Sequence, residues 1–447
     1  LLLVSFVLTY VFLYYKNVRR YPKGPFPLPL IGNLYHMNAE TLHDDVHKMG
    51  KKYGHCFTLF MPRPIVIFTD YATVKEALIT KGDHFGGRSH LPPDTYLQKV
   101  VQTGVMMSDG EVWKEQRRAA LRILREHGMG KNIMEEQVNR SIDELLAQVK
   151  ATNDGVTPYD MNFPIQLCVG NVINETLFGY HFKYTDTETF KYFVDRTARH
   201  LQLIKDNLAV LIIQAWPWTR HLPIIGTRGY KVQKENIGKV QEFIEDEVNK
   251  VARSYDTNQE PANFVQSYLR EMRTNHHLDT VNLYAIVVDF WIAGMETTGT
   301  TLRWALLLLM KHPHVQERIR ADLLSVVGRD RRIEMLDKPN LPYFTAAITE
   351  IQRTANMFPF LIFNRTNVDT VIGGKKIPVD TLTLPQIYSV MKDDPVFERP
   401  SEFLPERFLE VDGKTANKKT LERVIPFAIG KRICAGEALA RMELFLV

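Results

Sequence analysis

Apolar residues recur at helical spacing from Val112 to Lys150, Phe190 to Lys205, Val232 to Tyr255 and Leu283 to Lys311. Strand-like stretches are fewer: "HCFTLFM", "PIVIFTD", "TVIGGKKIP" and "TLTLPQI". The pattern therefore predicts a mainly α protein with a minor β-sheet (α+β). No repeat or low-complexity linker interrupts it, so residues 34–447 read as one large domain.

Two apolar stretches break the pattern. Residues 1–15, "LLLVSFVLTYVFLYY", fall short of the roughly 20 apolar residues that span a bilayer. The absence of an initiator Met favours a cropped membrane anchor. Lys16, Arg19, Arg20 and Lys23 follow, as the positive-inside rule expects of a cytosolic flank. A cleaved signal peptide lacks its small-residue cleavage site here, and a core helix leaves the basic flank unexplained. Pro22, Pro25, Pro27 and Pro29 make residues 16–33 a stiff, extended linker. The second stretch, "AVLIIQAWPWTRHLPII" at 209–225, reads equally as a core segment with a loop or as a Trp-bearing element at a membrane interface. At the other end, "EALARMELFLV" stops in mid-pattern, and the natural chain is expected to continue.

Composition narrows the chemistry. The 447 residues are 45% hydrophobic and 24% charged, which supplies a large core. A net charge of +5 is too weak for a nucleic-acid footprint, so no nucleic-acid partner is expected. Cys56, Cys168 and Cys434 form neither a disulfide framework nor a zinc site, in keeping with a reducing compartment.

Cys434 lies in "PFAIGKRICAG" (426–436). A lone cysteine is commonly a small buried hydrophobe. Here Lys431 and Arg432 precede it, and nearby positive charge favours a thiolate. Gly430 suits a turn with positive φ, and Gly436 lets backbone approach a bulky partner. Nucleophilic catalysis would require a histidine base that sequence alone does not place. A thiolate at a tight turn leading into a helix equally suits an axial haem-iron ligand.

The segment resembles the haem-binding signature of the cytochrome P-450 superfamily, with Phe427, Gly430, Arg432, Cys434 and Gly436 at its offsets. Ala428 stands where the family usually has Ser or Gly. Three further motifs follow the family's order. "AGMETTGTT" (293–301) is similar to its oxygen-binding helix. Ala293 would lie against the haem, Gly294 would leave room for a flat group, and the Glu296–Thr297 pair would guide protons. The simpler alternative is that Thr297 bonds back to a carbonyl one turn earlier. "EIQR" (350–353) with "FLPERF" (403–408) implies a buried lock of Glu350, Arg353 and Arg407. "WKEQRR" (113–118) implies that Trp113 and Arg117 reach a haem propionate, and Arg88 stands at a second such position. The family often has His or Arg where Asn364 aligns here, with Arg365 adjacent, leaving that contact open.

What the resemblance implies is a haem-thiolate catalytic domain over 34–447 that binds haem b through Cys434, the metal ligand. The implied reaction is monooxygenation of a lipophilic small molecule, with electrons from NADPH through a reductase. The layout resembles microsomal members, which implies an endoplasmic reticulum membrane with the domain on its cytosolic side. Membrane lipid and the reductase are then the expected partners, and Arg117, Arg118, Arg122, Arg125 and Lys131 could form a basic docking face. A haem-thiolate isomerase or dehydratase, a non-enzymatic haem carrier and a cysteine hydrolase are the rivals. Substrate contacts are expected from 88–108, 198–225, 286–298 and 358–364.

Overall fold

The computed structural model describes residues 1–38, 40–90, 94–129, 132–152, 155–256 and 258–447. Its longest element is the helix Thr280–Lys311, which runs through the centre of the domain. The Asp279 side chain accepts from the Asn282 amide and caps its start, and Pro313 follows its end. The neighbouring helix Asn162–Phe178 packs closest against it. Fourteen of that helix's residues are buried on all sides, so it shows no polar stripe, and helical periodicity misses it. Gly294 is the point of closest approach, because a Cβ there would meet the Ile173 side chain at 3.0 Å. Gly294 and Ile173 both also line a cavity beside Ala293.

Around this pair the periodic segments fold as helices Gly110–Glu126, Asn132–Thr152, Glu188–Asp206 and Val232–Ser254. Together they enclose the largest apolar core.

A five-stranded sheet stands at one side. Cys56–Met61 pairs antiparallel with Arg63–Phe68, which pairs parallel with Leu382–Pro385. Asn364–Arg365 joins antiparallel and carries Gly87–Arg88 at the edge. These last two strands are two residues each, too short to register as alternation. "TVIGGKKIP" is a hairpin, Thr370–Ile372 with Lys375–Ile377, turned by Gly373 and Gly374 at φ +53° and +75°.

The amino-terminal region begins with a helix and then packs on the sheet. Leu2–Val18 is helical with no buried residue. No helix among the described residues is long and apolar enough to cross a membrane. Beyond it the chain folds onto the sheet, where Asn33 Oδ1 accepts from the Phe60 amide (2.8 Å) and its Nδ2 donates to the Pro25 and Phe26 carbonyls. Residues 208–225 form the helix Leu208–Ala215 followed by short turns. Val210, Ile213 and Ala215 are buried, while Leu208, Trp218 and Ile224 are each more than 60% exposed.

Glu350 sits in the helix Pro342–Ala355 and is fully buried. Its carboxylate accepts from Arg353 Nε (2.7 Å) and Nη2 (2.9 Å), from Arg407 Nε (3.2 Å) and from the Leu404 amide (2.8 Å). The guanidiniums spend their other donors on carbonyls, Arg353 on Met391 and Arg407 on Arg399 and Glu402. Every member is therefore paired, the condition under which a buried charge cluster persists. Glu350→Ala leaves two buried guanidiniums without their carboxylate and is expected to cost about 3–5 kcal/mol. Chemical denaturation of the two proteins measures it, and a loss below about 1 kcal/mol contradicts a buried lock.

Candidate functional site

The loop before the terminal helix Glu437–Leu446 is set by two left-handed residues, Ala428 (φ +62°) and Gly430 (φ +83°). A Cβ on Gly430 would fall 2.0 Å from the Leu78 carbonyl oxygen, so both conformation and packing require glycine. Ala428 tolerates its conformation at a cost of roughly 1–2 kcal/mol, which gives glycine a physical advantage there. The Cys434 amide donates to the Phe427 carbonyl at 3.0 Å and fixes the thiol at the helix start.

Cys434 opens onto a cavity of about 330 Å³. The cavity is also lined by Phe427, Ala428, Arg432 and Gly436 of the same loop, Ala293 and Thr297 of the long helix, and Arg88 and Arg117. A Cβ on Gly436 would meet nothing within 4 Å, so the backbone there faces open space. The protein around the thiol raises its pKa, while the Gly436 N–H and the Arg117 charge oppose that rise. The cation acting on Cys434 is thus Arg117, contrary to the expectation from its chain neighbours. Lys431 is turned outward to Asp83.

Arg432 lies 3.9 Å above the Trp113 ring and donates through Nη2 to the Gly86 carbonyl (2.8 Å). Its Nε and Nη1, and Trp113 Nε1, are buried without a hydrogen-bond partner. Burial and the nearby Arg88 charge pull the Arg432 guanidinium down to about 8. Arg117 donates to the Ile433 carbonyl, and Arg88 to the carbonyls of Met106 and Phe363. Asn364 is buried, lines the cavity and donates to the Phe85 carbonyl (2.7 Å). Arg365 instead pairs with Asp380 (3.0 Å). The position left open between them faces the cavity through uncharged Asn364.

The long helix presents Thr297 to the cavity but not Glu296. Thr297 Oγ1 donates to the Ala293 carbonyl (2.8 Å), the simpler of the two sequence alternatives. Glu296 accepts from Gln166 Nε2 (2.6 Å) and lies 3.5 Å from Arg303. The acid and the alcohol are adjacent in sequence and point to different surroundings.

The basic face is likewise divided. Arg118 pairs with Glu115 and Arg122 with Glu271, Arg117 belongs to the cavity, and Lys131 lies outside the described residues, as do 91–93 of the 88–108 segment.

Sequence reasoning missed two acids. Asp289 Oδ2 accepts from the Val105 (2.8 Å) and Met106 (2.9 Å) amides and ties that loop to the long helix. Glu443 is 2% exposed in the terminal helix and lines the same cavity. A charged residue at an apolar helical position is the only signal either one gives.

The donor set can be tested against a haem. Buried, partnerless N–H groups on Arg432 and Trp113, beside Arg88 and Arg117, call for carboxylates such as the ring's propionates. The single thiol of the cavity stands across open space beyond Gly436. The residues fit a thiolate-ligated haem.

Comparison with known proteins agrees. Residues 22–447 match the family described as Cytochrome P-450. Cytochrome P-450 2H2 of Gallus gallus is 34% identical over 435 residues, covering 95% of this chain and 85% of its own length. Cytochrome P-450 2J3 of Rattus norvegicus is 33% identical over 452 residues (99% and 87%). Cytochrome P-450 2C8 of Homo sapiens is 34% identical over 440 residues (96% and 86%). The fold and site define a haem-thiolate oxidoreductase. The chain belongs to the cytochrome P-450 monooxygenase family.

Two outcomes follow from these geometries. Arg432→Gln removes a buried charge and should weaken haem retention about tenfold or more, read as the rate of haem transfer to an acceptor globin. Retention equal to wild type would show that Arg432 holds no propionate. Burial pushes the Asp289 carboxyl up to about 7, against the opposing Met106 and Val105 N–H groups. The folded state therefore holds that proton more tightly than the unfolded one. Stability from this group is lost as pH rises from the usual carboxylate range through about 7. Asp289→Asn keeps an acceptor for both amides and should gain on wild type across that window, as compared by denaturant midpoints at acidic and alkaline pH.

Proposed function

We propose that this chain is a membrane-associated monooxygenase of lipophilic small molecules, fed electrons from NADPH by a reductase. One observation carries the site reading. A single thiol and a set of unsatisfied buried cationic donors face one cavity that is otherwise apolar. In this reading Cys434 supplies the axial thiolate, and Arg88, Arg117, Arg432 and Trp113 hold the propionates. Phe427, Ala293 and Gly436 bound the ring, and Gly430 shapes the loop. When bound, the haem supplies the activation of dioxygen.

The chain's own residues bind, orient and exclude water. Val105, Met106, Phe290, Phe358 and Ile362 offer the substrate apolar surface and few hydrogen-bonding groups. That favours a lipophilic compound such as a xenobiotic, fatty acid or steroid-like molecule. Thr297 holds a hydroxyl at the cavity wall, able to give up its bond to the Ala293 carbonyl when another acceptor arrives. Glu296, paired towards Arg303, supports this wall from behind and exchanges protons with Thr297 only after its carboxylate turns.

Membrane association rests on exposed apolar surface. The helix Leu2–Val18 and the basic flank after it form an anchor with a cytosolic side, followed by the 16–33 segment and the catalytic domain at 34–447. Trp218, Leu222 and Ile224 offer a second contact with lipid. The endoplasmic reticulum is the compartment that fits a reductase-dependent enzyme of this layout.

Full-length protein with a bound haem should show, when reduced under CO, the red-shifted band of thiolate ligation, and Cys434→Ala should abolish it. Survival of the band in the variant would remove Cys434 as the ligand. Substrate oxidation that proceeds without reductase and NADPH would favour the isomerase or dehydratase reading.

A further inference from the structure

A second cavity, of about 360 Å³, lies between the two elements that the Glu350 lock joins. Thr345, Ala346 and Thr349 of the Pro342–Ala355 helix form one wall. Phe408, at the end of the Pro405–Phe408 turn, forms another with Leu409 and Leu421. The turn Met335–Asn340 closes a third side with Met335 and Lys338. No lining residue is shared with the cavity at Cys434. Lys338 and Lys414 are the only charged side chains in this lining. Among the described residues no carboxylate pairs with either ammonium. Asp412, the acid nearest Lys414 in sequence, accepts from the Lys414 and Thr415 amides and the Thr415 hydroxyl instead. Lys338 is half-buried, with its ammonium 5.9 Å from the centre of the Phe445 ring. Burial, and then the Arg441 charge, hold its pKa below that of an ordinary lysine. An anion bound in the cavity would offset both effects. One polar group of the lining is also orphaned: the Thr345 hydroxyl is buried without a hydrogen-bond partner, while Thr349 Oγ1 donates to the Thr345 carbonyl (2.9 Å).

We propose that this cavity binds an amphipathic monocarboxylate, a medium-chain fatty acid, with its carboxylate on Lys338 and its chain against the apolar walls. One half-buried ammonium matches one negative charge, whereas a dianionic phosphate would leave charge uncompensated beside Phe408, Leu409 and Leu421. Lys414 is exposed, so its attraction is screened by salt and serves mainly to draw the anion in. A concave site of this volume takes a small molecule and not a folded partner. The inference goes beyond the monooxygenase reading and does not depend on it, because the bound acid is a ligand held apart from the haem cavity. Touching both elements that Glu350 joins, it favours the folded lock by mass action.

The probe is decanoate with a photoreactive diazirine in its chain, added to the full-length holoenzyme at neutral pH and illuminated. Peptide mapping should place label within residues 335–349 or 408–421, and unlabelled decanoate should compete it away. Lys338→Met keeps the apolar stem and removes the charge, so labelling of these segments should fall about tenfold or more. Lys338→Arg should retain most of it. An unchanged denaturation midpoint without ligand shows that each variant is folded. The uncharged diazirine-decanol should label the same segments about tenfold less than the acid. Absence of label from both segments overturns the proposal, as does labelling equal in wild type and Lys338→Met, or equal for the acid and the alcohol. Stronger competition by decyl phosphate than by decanoate also overturns it, since the site would then select a dianion.

Discussion

Positive charge gathered on one wall of an otherwise apolar cavity is the constraint around which this protein is organised. Arg88, Arg117 and Arg432 converge on one wall, and burial lowers the pKa of both Arg117 and Arg432. Stacking on Trp113 and donation to backbone carbonyls orient the guanidiniums of Arg432 and Arg117. A ligand bearing two carboxylates relieves that repulsion, and it binds only the folded chain. Cofactor affinity and fold stability are therefore linked by mass action. The contrast with Glu350 is instructive, because there two guanidiniums meet a carboxylate inside the chain and the cluster is closed. One cationic cluster is closed by the chain's own carboxylate, and the other lines a cavity.

The closed cluster serves the open one. Glu350 joins the Pro342–Ala355 helix to the turn Pro405–Phe408, and Thr420 Oγ1 donates to the Arg407 carbonyl just before the chain runs on to Cys434. The segment carrying the thiol is thus fastened at its start by the lock. Further on it is fastened by Gly430 against Leu78, and at its end by the terminal helix. Asp289 does similar work on the opposite wall by holding residues 105–106 to the long helix. Side chains far apart in sequence face one cavity because each of these ties fixes backbone and not merely side chains.

Much of this was legible in the chain because it depends on local requirements. Positive φ at Gly430, a one-turn spacing between Trp113 and Arg117, and an i,i+3 pair at Glu350 and Arg353 leave marks in sequence. The long periodic helices were legible for the same reason. Asn162–Phe178 was not, because burial on every side erases the polar stripe that reveals a helix. Nor were the two-residue strands at Gly87 and Asn364, whose existence depends wholly on partners distant in sequence. Gly294 shows the limit of reading one residue at a time. Its small size was legible, but its close approach to Ile173 was not.

The sharpest lesson lies in the acids. From sequence, Glu296 is the obvious proton carrier, because it adjoins Thr297 on a helix thought to face the reaction. Adjacent residues on a helix are about 100° apart around its axis, however, and here the two meet different surroundings. Thr297 takes the cavity side, and Glu296 takes the side that offers Gln166 and Arg303. A buried carboxyl such as that of Glu443 holds its proton more tightly than one in water, because burial penalises its charged form. Unlike environments of this kind divide acids into separate roles.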